Sequence, residues 1–125
     1  MMDYNHTNED KIIFEKYFSK YTLEGSKYYA EVGASDGITY SNTLYYEKEL
    51  GWTGILIEPN SVLFNRLISS RGEKNTLVNI AISDVKEPIQ FNLCVGFPLL
   101  SCIESTRPPI TETYYNQSII NNYTT

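Results

Sequence analysis

Two carboxylates and two glycines, set around a pair of short apolar runs, are the residues of this 125-residue chain best placed to do chemistry. Glu31 lies inside the first run, Gly33 and Gly37 enclose G-A-S-D-G just after it, and Glu58 ends the second run. Glycine permits positive φ and leaves no side chain in the way, so bare backbone can come next to a ligand at such a turn. A helix opening after the turn offers unpaired amides and a partial positive charge, which favour a carboxylate or a phosphate. A carboxylate at the end of the second run is placed to accept both hydroxyl hydrogens of a ribose. One end of the ligand is therefore anionic or backbone-bound, and the other is a nucleoside.

NAD and S-adenosyl-L-methionine both fit that outline, and the turn discriminates between them. A dinucleotide fingerprint wants G-x-G-x-x-G, whose middle glycine lets the pyrophosphate approach. Here Ser35 stands in that place. Carboxylates at Glu31 and Asp36 would repel a pyrophosphate but help to hold an ammonium. An amino-acid-bearing nucleoside with a cationic sulfur fits better.

These residues need a frame to hold them. Thr7 to Asp10 has the form of a capping box, and Ile13, Tyr17 and Tyr21, with Phe14 and Phe18 beside them, predict an amphipathic helix over residues 8 to 21. Tyr28 to Val32 reads as a short buried strand. A loop over 33 to 41 leads to a helix that Ser41, Asn42 or Thr43 can cap and Gly51 closes. Thr53 to Ile57 reads as a second strand, continuous in apolar character as parallel strands are. Pro59 turns the chain into a helix whose apolar face is Val62, Leu63, Phe64, Leu67 and Ile68, ending near Arg71 and Gly72. Leu77 to Ile82 gives a third strand and Ile89 to Val95 a fourth, less buried one. Residues 97 to 125, with Pro98, Pro108 and Pro109, read as a loop and a poorly defined tail; Tyr115, Ile119 and Ile120 give only a weak helical pattern. The division is 1–27, an N-terminal helix and turn; 28–96, a βαβαβ core; and 97–125, loop and tail. Ligands of such sheets sit outside the carboxyl ends of the strands, which singles out residues 33–42, 58–60 and 81–84.

Composition narrows the classes. A chain of this length makes one domain, and a formal net charge of -5 argues against nucleic acid despite eleven tyrosines. The apolar runs are too short to span a membrane, and the N-terminus is polar and acidic where a secretory leader would be basic and then apolar. A cytoplasmic location is expected, with Cys94 and Cys102 reduced and the triplets at Asn5, Asn116 and Asn122 unglycosylated. No metal-ligand spacing occurs. Trp52 is expected to pack between helix and sheet, and His6, the sole histidine, has no catalytic role.

E-V-G-A-S-D-G, then S-N-T, then L-G-W-T-G-I-L-I-E-P-N, then N-I-A-I-S-D resemble, over residues 28 to 95, the first half of the FkbM-type methyltransferases. The resemblance implies an α/β fold with a Rossmann-like class I methyltransferase sheet, truncated after the third or fourth strand. It implies S-adenosyl-L-methionine as cofactor and methyl transfer to an oxygen acceptor. It places Glu31, Gly33, Ala34, Asp36 and Gly37 around the methionine part, and Ser41 and Asn42 near the ligand carboxylate. Glu58 takes the ribose hydroxyls, with Pro59 shaping the turn, and Ala81, Ile82 and Ser83 lie by the adenine. Gly37 also reads as a plain turn glycine, Asp36 as a cap on local amides, and Glu31 as an organiser of the loop. The family's later K-x-D-x-E-G segment has no counterpart here, so no catalytic residue is named and independent activity is in doubt. A small-molecule or glycan acceptor is expected, with an oligomer or a second chain completing the sheet. The alternative is a non-catalytic cofactor-binding remnant or an interaction module; an NAD-dependent fragment ranks third.

Overall fold

The computed structural model of the chain describes residues 8–20, 27–94, 101–103 and 120–124. Three parallel strands, β1 (Tyr28–Val32), β2 (Thr53–Ile57) and β3 (Thr76–Val78), lie side by side in sequence order. Tyr28 pairs with Thr53 and Val32 with Ile57, while Ile55 pairs with Thr76 and Ile57 with Val78. Helices α2 (Leu44–Leu50) and α3 (Ser61–Arg71) make the two crossovers. This is the βαβαβ order read from the sequence, a mixed α/β fold built on a parallel sheet.

Among the described residues, only one face of that sheet is covered. Ala34, Leu56 and Leu67 form the innermost core, with Tyr29, Phe64 and Leu77 packed around them. The residues that alternate with these point the other way: Tyr28 is 70% exposed, Val32 64% and Ile55 45%. The expectation of fully buried strands is thus corrected, since side chains alternate across a strand and the structure covers one side.

Helix α3 explains its own packing. Asn60 caps it, its side-chain oxygen accepting the Val62 and Leu63 amides. Leu63, Leu67 and Arg71 are its buried residues, one row at spacing four. Val62 and Ile68, expected on the apolar face, are exposed; Arg71 extends the inward row instead. Gly51 ends α2 in the left-handed region, as the sequence indicates.

The N-terminal helix also differs. It runs as α1 (Glu9–Ile13) and then widens into a π-helical turn over Phe14–Phe18. Its N-cap is Asn8, left-handed and without a side-chain cap bond, so the capping box is not formed there; Thr7 lies outside the described residues. The inward residues are Asp10, Phe14 and Phe18, while Ile13 and Tyr17 are exposed. Phe14 meets the rings of Tyr45 and Tyr46 edge-on, and Phe18 meets Trp52. Trp52 packs against Tyr46 at 4.9 Å between ring centroids, so it joins two helical segments rather than helix and sheet.

The fourth strand departs most. β4 (Gln90–Cys94) does not join the parallel sheet; it lies between β5 (Cys102–Ile103) and β6 (Ile120–Thr124) in a second, antiparallel sheet. Phe91, Asn92 and Cys94 are buried, so this strand is the more buried one and not the less. The stretch read as loop and tail therefore contains two strands. Ile120 begins β6 and pairs with Cys94, while Tyr115 and Ile119 lie outside the described residues.

Candidate functional site

The turn after β1 folds back over the end of β2. The Gly33 and Ala34 amides donate to the Ile57 carbonyl at 2.8 and 3.0 Å. The Ser35 amide donates to Glu58 Oε2 at 2.8 Å, and the Asn60 amide to Glu58 Oε1 at 2.8 Å. The Glu58 amide in turn donates to the Val78 carbonyl, and the Asn79 side chain donates to the carbonyls of Glu58 and Pro59. All three strand ends are stitched together through residues 33–35, 58–60 and 78–79.

Glu58 is accordingly buried, 6% exposed, with one backbone amide on each oxygen. Each oxygen keeps a second lone pair. Burial pushes its carboxyl above the usual value, outweighing the two amides that favour the charged form. A carboxylate at the mouth of this strand also has a structural duty, since it anchors the glycine turn.

The two glycines do different work. Gly33 has φ +77° and nothing within 4 Å of where a Cβ would stand, so bare backbone faces open space there. Gly37 has φ +82°, and a Cβ would meet Leu67 Cδ1 and Ser70 Oγ at 2.7 Å. Gly37 is the packing glycine that lets the loop press on α3. Asp36 caps its own turn: Oδ1 accepts the amides of Ile38 and Thr39, and Oδ2 accepts the Thr39 hydroxyl. Partial burial raises its carboxyl, but those bonds outweigh burial and hold it below the ordinary value.

Glu31 organises the far side of the loop. Oε2 accepts the Ser41 hydroxyl at 2.9 Å and the Thr43 hydroxyl at 2.5 Å, and Oε1 accepts the Asn42 amide at 3.1 Å. Ser41 Oγ accepts the Thr43 and Leu44 amides. Thr43 is the N-cap by conformation, but Ser41 supplies the cap bond. The amides of residues 42–44 leading into α2 are thus already partnered, where the sequence reading left them free. A pyrophosphate would find no row of amides at 42–44, and the neighbouring carboxylates would repel it.

Behind this loop lies a group the sequence did not reveal. Arg71, its side chain fully buried, uses each of its five N–H bonds. Nε donates to Glu47 Oε2 at 2.7 Å; Nη1 donates to Gly37 O at 3.2 Å and Ser41 Oγ at 3.0 Å. Nη2 donates to Tyr29 Oη at 2.7 Å and Thr43 Oγ1 at 3.1 Å. Glu31 Oε2 stands 3.6 Å from Nη1. Asn75 bonds both Tyr29 and Glu47. Burial pushes the Tyr29 phenol up to about 12, above the counter-effect of Arg71, so it stays protonated.

The remaining sequence-selected residues are less involved. The Ala34 side chain is buried in the core, leaving only its backbone near the turn. The third strand ends at Val78, so Ala81, Ile82 and Ser83 follow it in a loop and are not on the strand. Ile82 is 53% exposed, and Ser83 Oγ bonds its own turn through Asp84 and Val85. Asn79 is the residue at the true strand end, across from Glu58. Among the described residues no group of three side chains could hold a metal, and no helix is long and apolar enough to cross a membrane. A depression of about 320 Å³ lined by Tyr28, Thr53, Ile55, Lys74 and Thr76 lies at the opposite, amino ends of the strands.

The family model of the methyltransferase FkbM domain matches residues 31–122, which runs from Glu31 through the turn, Glu58 and Arg71 into β6. The chain belongs to the FkbM methyltransferase domain family. No curated protein and no solved structure matches it. The match extends beyond residue 95, where the motifs end, and takes in β4, β5 and the first part of β6 in the antiparallel sheet.

Proposed function

We propose that the domain binds S-adenosyl-L-methionine at the joined ends of β1 and β2 and transfers its methyl group to an oxygen acceptor, a small molecule or glycan. The observation that carries the reading is Glu58, held by the Ser35 and Asn60 amides at the strand end with a spare lone pair on each oxygen. Those lone pairs suit the two hydroxyl hydrogens of a ribose. Gly33 offers open backbone beside them, and the carboxylates of Glu31 and Asp36 favour the cationic end of an amino acid. Ser41 and Asn42 border that end, Pro59 shapes the turn, and Ala81 to Ser83 border the adenine side. The bound cofactor supplies an electrophilic methyl on a sulfonium. The chain's own part is to bind, orient and balance charge around it. A cytoplasmic location belongs to the same reading, with Cys94 and Cys102 kept reduced there.

Calorimetric titration with S-adenosylhomocysteine tests this. Folded protein should bind it, and Glu58→Ala should abolish binding; unchanged affinity in the variant would sink the ribose assignment. A second reading, an interaction module, draws on the uncovered apolar face at Tyr28, Val32 and Ile55. Folded protein that forms a stable oligomer and takes up no S-adenosylhomocysteine would favour it.

A further inference from the structure

Arg71 is not among the residues assigned to ligand contact, yet it bonds the loop at three points, Gly37, Ser41 and Thr43. We propose that Arg71 is the positioning residue of the ligand loop, a buried fork that fixes Gly37, Ser41 and Thr43 and through them the carboxylate of Glu31. This rests on the proposed cofactor site.

The geometry supports it on three counts. The five N–H bonds of Arg71 reach five separate acceptors, and three of these belong to residues 37, 41 and 43. Ser41 and Thr43, bonded to Arg71, are also the two hydroxyls that hold Glu31 Oε2. Arg71 itself cannot drift, because Glu47 and Tyr29 grip the other side of the guanidinium and Asn75 locks both. A buried guanidinium is a costly way to add stability, since an apolar side chain of similar volume often serves as well. What the fork supplies is direction: planar donors at fixed angles that an ammonium cannot reproduce. Helix α3 adds a second grip next door, where the Ser70 hydroxyl donates to the Asp36 carbonyl at 2.7 Å.

The test compares the full chain with Arg71→Lys and Thr43→Val. Lysine keeps the charge but has three donors, so at least two of the five bonds go; valine removes one hydroxyl from the relay without moving a charge. S-adenosylhomocysteine affinity should fall about tenfold in Arg71→Lys and about threefold in Thr43→Val, in line with the modest net worth of the bonds each variant loses. Amide hydrogen exchange at 42–44 should speed up in both, with Leu56 and Ile57 as protected as before. A role confined to stability would lower the melting temperature and leave the affinity of folded variant unchanged, which overturns the proposal. If Arg71→Lys does not fold, wild-type affinity in Thr43→Val overturns it alone. Folded wild-type chain that binds nothing would instead overturn the cofactor site, and the positioning role with it.

Discussion

At the scale of the residue, Gly33 and Gly37 differ in a way that mutation can read. Both have positive φ, so alanine at either strains the backbone by about 1–2 kcal/mol. At Gly37 the new methyl also meets Leu67, Ser70 and Arg71, adding about 1–3 kcal/mol of overpacking. Gly37→Ala should therefore lose roughly twice the stability of Gly33→Ala in urea denaturation, whereas Gly33→Ala should lose S-adenosylhomocysteine affinity while still folded. Equal stabilities for the two would contradict this division of labour. The sequence marks both glycines but cannot say which faces open space and which faces a helix. That depends on Leu67 and Ser70, some thirty positions away. Glu58 was legible for the same reason that its anchoring was not: its place at the end of an apolar strand is local, whereas its partner Ser35 comes from another turn.

At the scale of the element, α3 shows why Arg71 escaped notice. A basic residue in the last turn of a helix ordinarily complements the helix dipole in solvent. Its burial becomes apparent only once β1, the loop and α2 converge on it. That convergence makes the junction sensitive to acid. Burial alone would raise the Glu47 carboxyl, but bonds from Asn75 and Arg71, the Arg71 charge and the Tyr29 bond together hold it below its ordinary 4.5. The folded state then binds this proton less readily than the unfolded chain does. Its contribution is complete above the ordinary value and is lost as pH falls through the folded one. Glu58 works in the opposite sense, because burial raises it: its contribution is present at low pH and is lost as pH rises through the folded value. Glu47→Gln should be less stable than wild type at pH about 7 and should lose less on acidification to pH about 3. An unchanged acid limb in denaturation curves would remove Glu47 from this role. The π-helical turn over Phe14–Phe18 was not legible, because apolar residues at spacing four read as an ordinary helix and do not say which of two neighbouring rows turns inward.

At the scale of the whole molecule, the parallel sheet was readable and the antiparallel one was not. Strands β1 and β2 and helix α3 announce themselves by apolar runs bounded by caps and turns. The partners of β4 lie at 102–103 and 120–124, in a stretch whose prolines and polar residues mask any alternation. The one-sidedness of the parallel sheet was equally hidden, since apolar residues on a bare face look like core in a sequence. Neighbours in β2 test it directly: Leu56→Ala should cost about 2–5 kcal/mol, while Ile55→Thr should stay within about 0.5 kcal/mol. A large loss at Ile55 would mean that the exposed face is covered in solution. The loop between β1 and α2 bears on speed as well as affinity. Its amides at 33–35, 37–39 and 41–44 already have partners within the chain. A ligand arriving there meets a finished surface and has no segment to order, so little of its binding free energy goes into folding the receptor. Capture should then be a single exponential whose rate rises linearly with ligand concentration, with no plateau set by a loop that must close first.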